Sequence, residues 1–304
     1  MSNIASAAKA APVAFQDVTV GTASASPGSL AIRDVLVHLD GSSQDDVNIA
    51  QAESVATAFG AHVRGVFTHE IPSTMLAVGP GGEGLSYDFW TADGKEADET
   101  EKRVAIRFGL VDASTDLLRV DGMLHELDRT VAALTRCVDL VVIGRPYGEG
   151  RRWPDLVEAA VFNGGAPVLI VPPSAATPSR MDAVVIGWRD TRECSRAIAA
   201  ALPILKRAKR VYLVCVSEGS KGEGRQEPAA DMARHLSRHD IPVEVRHLPQ
   251  WPDAAAGLMN EAVVVGADLI VVGAYGHSRL REFILGGVTR DLLTQSVIPV
   301  LMAH

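Results

Sequence analysis

A chain of 304 residues is long enough for two domains of ordinary size. With 47% hydrophobic and 22% charged residues it reads as globular, which excludes a disordered chain. A net charge of −8 argues against a general nucleic-acid binder, which needs a clustered positive surface, and no apolar run approaches the roughly 18 residues of a membrane helix.

Residues 1–30 are rich in Ala and Ser, but Lys9 and Gln16-Asp17 interrupt them before a signal-like apolar core develops, so a disordered tail is expected. Short apolar runs then alternate with longer segments of helical period. Strands are expected near 32–39, 61–68, 115–120, 139–144 and 167–171, with helices near 44–59, 92–108, 125–136 and 153–163. A short, stiff linker follows over 174–180. Beyond it, strands are expected near 182–188, 210–216, 243–248, 268–273 and 299–302, with helices between them. Such alternation implies βαβ crossovers and a mainly parallel sheet covered on both faces. Gly60 and Gly266 stand where a helix should stop.

The chain repeats itself. Val138-Asp-Leu-Val-Val-Ile-Gly144 matches Ala267-Asp-Leu-Ile-Val-Val-Gly273 at an offset of 129, and Asp34-Val-Leu-Val-His-Leu matches Asp182-Ala-Val-Val-Ile-Gly at an offset of 148. The difference of 19 residues is extra sequence in the first half, and Ile71 to Trp90, with Pro72 and Gly79-Pro80-Gly81-Gly82, has the loop composition to supply it.

The most chemical segment lies near the C-terminus. An apolar strand closes at Gly273, Gly276 follows three residues on, and Gly286-Gly287 open a helix with Val288 and Thr289 in its first turn. Glycines at a strand exit and a helix start let backbone N–H groups approach an anion, and the Thr289 hydroxyl can reach a phosphate oxygen. A nucleotide-phosphate site is the leading expectation for this half.

Gly273-x2-Gly276-x9-Gly286, with Val288 and Thr289 after it, resembles the loop of the universal stress protein family, which wraps the ribose and phosphates of ATP. The resemblance covers roughly 31–173 and 181–304, hence a tandem member. It implies two doubly wound, mainly parallel five-stranded sheets of order 3-2-1-4-5, with ligands beyond the strand carboxyl ends and pairing through the fifth strands. Gly287 stands where the family's nucleotide-binding members carry Ser or Thr, so one hydroxyl contact is missing.

The resemblance is split between the halves. The first half keeps the acidic residue, in Leu36-Val-His-Leu-Asp40-Gly41-Ser42, but its loop after Gly144 reads Arg145-Pro146-Tyr147, and Trp153-Pro154-Asp155 stands near the later glycine's place. Gly164-Gly165 read as the end of the preceding helix. In the second half Trp188 takes the acidic position, either stacking on a base or filling the pocket, while Asp190 is expected to cap the next helix. On the family pattern the backbone at Val216 faces the base, and Arg279 is a candidate phosphate clamp beside His277, Arg281 and Arg290.

Other signals are weak. Nine histidines show no metal-ligand spacing, His235 and His239 share only a helix face, and His38 is expected to pack in the first strand. Cys137, Cys194 and Cys215 lack CxxC spacing and lie in or beside apolar segments, which suggests buried, reduced thiols and the cytoplasm. No G-x-S-x-G elbow or P-loop is present. The expectation is a regulatory protein, homo-oligomeric, binding ATP, with or without Mg²⁺, in its second half without efficient catalysis. One alternative is a protein-interaction scaffold without nucleotide. Another is small-molecule binding by the first half under the 71–90 loop.

Overall fold

The computed structural model describes residues 31–71, 83–147, 153–175, 178–218, 227–274 and 287–304. The tail expected over 1–30 lies outside them, and so do Gly276, His277, Arg279, Arg281 and Gly286. The first half runs β1 (Asp34–Leu39), α1 (Gln44–Phe59), β2 (His62–Glu70), α2 (Glu83–Phe108), β3 (Thr115–Gly122), α3 (Leu124–Leu134), β4 (Leu140–Gly144), α4 (Pro154–Asn163) and β5 (Val168–Val171). The second half runs β6 (Ala183–Gly187), α5 (Arg192–Leu205), β7 (Arg210–Glu218), α6 (Glu227–Ser237), β8 (Glu244–Trp251), α7 (Ala254–Val264), β9 (Leu269–Gly273), α8 (Gly287–Gln295) and β10 (Val300–Ala303).

Strands such as β4, β5, β6 and β9 are near-continuous Val, Ile and Leu runs because helices cover both faces of the sheet. Alternate residues of β1 show the division. Val35, Val37 and Leu39 face the side packed by α1, α2, α5 and α6, while Leu36 faces α3, α4, α7 and α8.

Each half has the expected order 3-2-1-4-5, and the two join through their fifth strands, as the resemblance implied. They merge into one ten-stranded sheet, β3-β2-β1-β4-β5-β10-β9-β6-β7-β8, in which β5 and β10 pair antiparallel and place Leu169 opposite Leu301. The other neighbouring strands of the sheet pair in parallel. Both fifth strands are short and almost wholly buried, so either left as an open edge would expose unpaired backbone beside apolar side chains.

A difference from expectation concerns the insertion. Residues 72–82 lie outside the described residues, but α2 already begins at Glu83 rather than near 92. Past Gly84, residues 85–90 contain neither Gly nor Pro to interrupt a helix, so the loop composition ends there.

Local signals behave as their chemistry dictates. Gly60 adopts φ 65° and its N–H donates to the Ala56 carbonyl, closing α1, and Gly266 turns the chain after α7 at φ 63°. Asp139 and Asp268 occupy matching places ahead of β4 and β9. The Arg33 and Asp34 N–H groups donate to Asp139 at 2.7 and 3.0 Å, and the Asp182 and Ala183 N–H groups donate to Asp268 at 3.1 Å each. Each carboxylate thus sets the register of its half's first and fourth strands. The linker is held at Ser179, whose carbonyl accepts from Gln51 and Ser54 on α1 and whose hydroxyl donates to the Asp268 carbonyl.

Candidate functional site at the strand carboxyl ends

In each half the sheet order reverses between the first and fourth strands, at β1/β4 and at β6/β9, and the helices that follow depart to opposite faces. The crevice beyond those strand ends is where a doubly wound sheet takes its ligand. The two crevices are built differently.

In the second half, Gly273 ends β9 and meets the start of α5. A Cβ there would lie 2.5 Å from both Glu193 C and Cys194 N, so this glycine is required for helix–strand packing whatever else it does. The opening of α8 is the reverse. A Cβ on exposed Gly287 would meet nothing among the described residues within 4 Å. Val288 is half-buried against the core, Thr289 is buried, and Arg290 is exposed. The first-turn N–H groups of a helix have no intrahelical partners, and they point out of its N-terminus.

Register corrects the placement of Trp188. Val35 pairs with Leu140 and Val184 with Leu269, so β1 and β6 correspond at an offset of 149, one more than the sequence match gave. Trp188 therefore stands at the position of Leu39 and packs, as Leu39 does, against the core on the α5 side. The indole is half-buried there. Exposed Arg189 takes the place of Asp40, because three residues (189–191) connect β6 register to α5 where four (40–43) connect β1 to α1. The cap of α5 is Thr191, whose hydroxyl accepts from Cys194 N–H at 3.3 Å, rather than Asp190. The Val216 side chain is taken up by packing: its Cγ1 lies 2.9 Å from where a Gly257 Cβ would be.

The cysteines also depart from expectation. Cys137 is exposed, because it lies in a 3-10 turn between α3 and β4 rather than on a core face, and Cys194 and Cys215 are half-buried. Burial still pushes the Cys215 thiol up to about 11. Among the described residues no His, Cys, Asp and Glu group could hold a metal ion.

The first half has closed its own crevice. Asp40 leaves β1 where its carboxylate was expected to meet a ribose or base, but Oδ2 accepts from the Trp153 indole Nε1 at 2.8 Å and Oδ1 accepts from Ser42 N–H at 2.9 Å. Trp153 immediately precedes α4, as Gly286 immediately precedes α8, so a large side chain grows from the place of the loop's last glycine. It is 7% exposed and meets the His38 ring edge-on at 5.5 Å. Gly144 is likewise committed to packing, since a Cβ would lie 2.6 Å from Gln44 Cγ on α1.

Beneath the indole lies a buried polar cluster. His38 Nε2 shares a 2.8 Å hydrogen bond with Thr68 Oγ1, and Asp45 accepts from the N–H groups of Asp40 at 3.0 Å and Gly41 at 2.8 Å. Burial raises the Asp40 carboxyl, but hydrogen bonds from Ser42 and Trp153, with His38 nearby, outweigh it and hold it below the ordinary carboxylate value. Burial pushes His38 from 6.5 down to about 4, against the pull of Asp40, so the imidazole is neutral. Burial, aided by the charge of Asp40, pushes Asp45 from 3.8 up to about 7.

Those two shifts have opposite consequences. The raised Asp45 contributes stability at acid pH that is lost as pH rises through about 7, whereas the depressed His38 contributes stability present above 6.5 and lost as pH falls through about 4. Between pH 4 and 6.5 these two slopes oppose each other, and Asp128, pushed by burial from 3.8 up to about 6, acts in the same direction as Asp45. Asp45→Asn removes the Asp45 contribution, so across that window the variant's stability relative to wild type should climb by on the order of 3 kcal/mol. Urea midpoints of both proteins at pH 4.5 and 6.5 check this; a constant difference between them would mean that Asp45 is not held protonated.

Of the residues that build these two sites, Trp153, Asp45 and Thr191 were not singled out in these roles from sequence. Asp139 and Asp268 carried a signal, since the same Asp recurs at the same point of the repeat.

The architecture and both crevices can be set beside known proteins. The family model described as universal stress protein family matches residues 181–304. In fold the chain is similar to a universal stress protein from Archaeoglobus fulgidus DSM 4304, with a TM-score of 0.67 at 15% identity over 89% of this chain and 97% of that one. It is also similar to a functionally unknown protein from Pseudomonas aeruginosa PAO1, with a TM-score of 0.56 at 14% identity over 90% and 92% of the two chains. No curated protein matches. Residues 181–304 are therefore a universal stress protein domain, and the first half of the chain repeats its fold beside it.

Proposed function

We propose that this is a tandem regulatory protein, with domains at 31–173 and 181–304 joined by 174–180, whose second domain binds ATP or a related adenine nucleotide without efficient catalysis. The observation that carries the reading is the opening of α8: an exposed helix N-terminus with unobstructed Gly287, preceded by the Gly273, Gly276 and Gly286 spacing. Gly276, Gly286 and Arg279 would line the phosphates, with Thr289 in the first helical turn. Arg189, replacing the acidic residue, adds a cation at the strand end and favours an anionic ligand. Mg²⁺ would arrive with the phosphates, since the described residues offer no cluster of their own for it.

Calorimetric titration of nucleotide-stripped protein with ATP and Mg²⁺, alongside AMP and GTP, tests the reading. Saturable heat that favours adenine supports it; no heat at millimolar ATP removes it. Gly276→Val should abolish binding with little change in folding. Gly287→Ser adds the hydroxyl that the loop lacks, into open space, and is expected to tighten ATP by about 3- to 10-fold, the yield of one added hydrogen bond. Unchanged affinity would place the phosphates elsewhere.

A second reading, an interaction scaffold without nucleotide, is favoured by one observation: Gly273 and Trp188 are both accounted for by packing alone.

A further inference from the structure

The crevice of the first half is shaped around a planar ring. Trp153 is not simply another core residue, because its ring nitrogen is aimed at the carboxylate that ends β1, 2.8 Å away. His38 supplies an aromatic edge to one side of it. That carboxylate is in turn fixed by Ser42 N–H, and its loop is anchored through Asp45 to the Asp40 and Gly41 N–H groups. An acceptor, an aromatic wall and a buried volume the size of an indole are therefore already assembled at the position where a doubly wound sheet takes a ligand.

We propose that the first half is a self-liganded pocket: Trp153 occupies the ligand position of its own crevice, and the pocket takes a free planar heteroaromatic with a ring N–H donor once that side chain is removed. The chemistry defines the class of ligand. A flat bicyclic ring is needed to fill the volume between β1 and α4, and a ring N–H is needed because the Asp40 carboxylate, held ionised by its hydrogen bonds, is costly to leave unpaired once it is cut off from water. The groups shown against the indole, Asp40 and His38, are held by hydrogen bonds of their own to Ser42 and Thr68, which remain when the plug is cut back. The pocket is independent of nucleotide binding in the second half.

The test uses the full chain with Trp153→Gly, which places a glycine ahead of α4 as Gly286 stands ahead of α8, and indole as the probe. The variant is expected to melt at a lower temperature than wild type and to recover progressively with added indole, whereas indole leaves wild-type melting unchanged. Benzofuran, which has the same shape without the N–H, should bind about 10-fold or more weakly, and Asp40→Asn in the same background should erase that preference. No response to indole, an equal response in wild type, or equal binding of benzofuran would overturn the proposal. Should Trp153→Gly fail to fold, Trp153→Phe and Asp40→Asn form a double-mutant cycle in otherwise intact protein. Coupling of about 10-fold in the unfolding equilibrium is expected, and additive effects would overturn the indole–carboxylate assignment.

Discussion

Gly273→Ala is expected to cost about 3 kcal/mol or more, the upper end of what overpacking does in a core, and to do so with no nucleotide present. The added methyl would sit 2.5 Å from backbone atoms of both Glu193 and Cys194, and backbone in the first turn of a helix cannot move aside as a flexible side chain does. Relief requires α5 to lift from β9, and that helix buries Ala197, Ile198, Ala201, Ile204 and Leu205 in the core. Urea denaturation monitored by circular dichroism reads the change as a lower midpoint at unchanged slope. A variant as stable as wild type would return this glycine to the ligand alone. The result also separates two causes that share one residue, because loss of nucleotide affinity in an unfolded variant says nothing about phosphate contact.

Leu301→Ala should be as damaging, by about 2 to 5 kcal/mol, and its effect should not be confined to the half that contains it. Leu301 is fully buried, faces Leu169 across the antiparallel β5–β10 seam, and pairs on its other side with Val271 of β9. The three side chains belong to one apolar cluster that runs through both halves. A cavity at the seam therefore removes packing from the two domains at once. Differential scanning calorimetry is expected to show one transition, shifted as a whole to lower temperature. Two transitions, with the earlier shifted and the later unmoved, would mean that the halves unfold independently and that the seam contributes little.

Much of the fold could be read in advance because its determinants are local. Val and Ile runs closed by glycine, as at 139–144 and 268–273, specify buried strands, and the spacing between them specifies crossover helices. Gly60 and Gly266 end helices through their own backbone freedom, with no help from distant residues. The start of α2 was misplaced for the same reason in reverse: the glycine-rich run up to Gly84 dominated the composition of a window that it only half fills.

The candidate site was less legible, since its residues act through partners far away in sequence. Trp153 and Asp40 are separated by 113 positions, and nothing in either neighbourhood announces that an indole N–H will meet that carboxylate. Trp188 was assigned to the acidic position on a sequence match, and pairing register moved it by one residue, which in a strand is enough to change both face and role.

By itself the sequence determined that the chain is a doubled α/β unit, where most of its strands and helix ends lie, and which half carries the Gly273, Gly276 and Gly286 spacing, because these follow from short-range periodicity and backbone freedom. Only the tertiary structure decided that the fifth strands pair antiparallel within one chain, that Gly273 abuts the backbone of α5, and that the Asp40 carboxylate is met by the Trp153 indole. Those outcomes depend on strand register and on which surfaces meet, and both are set by burial of apolar area between segments that no local pattern connects.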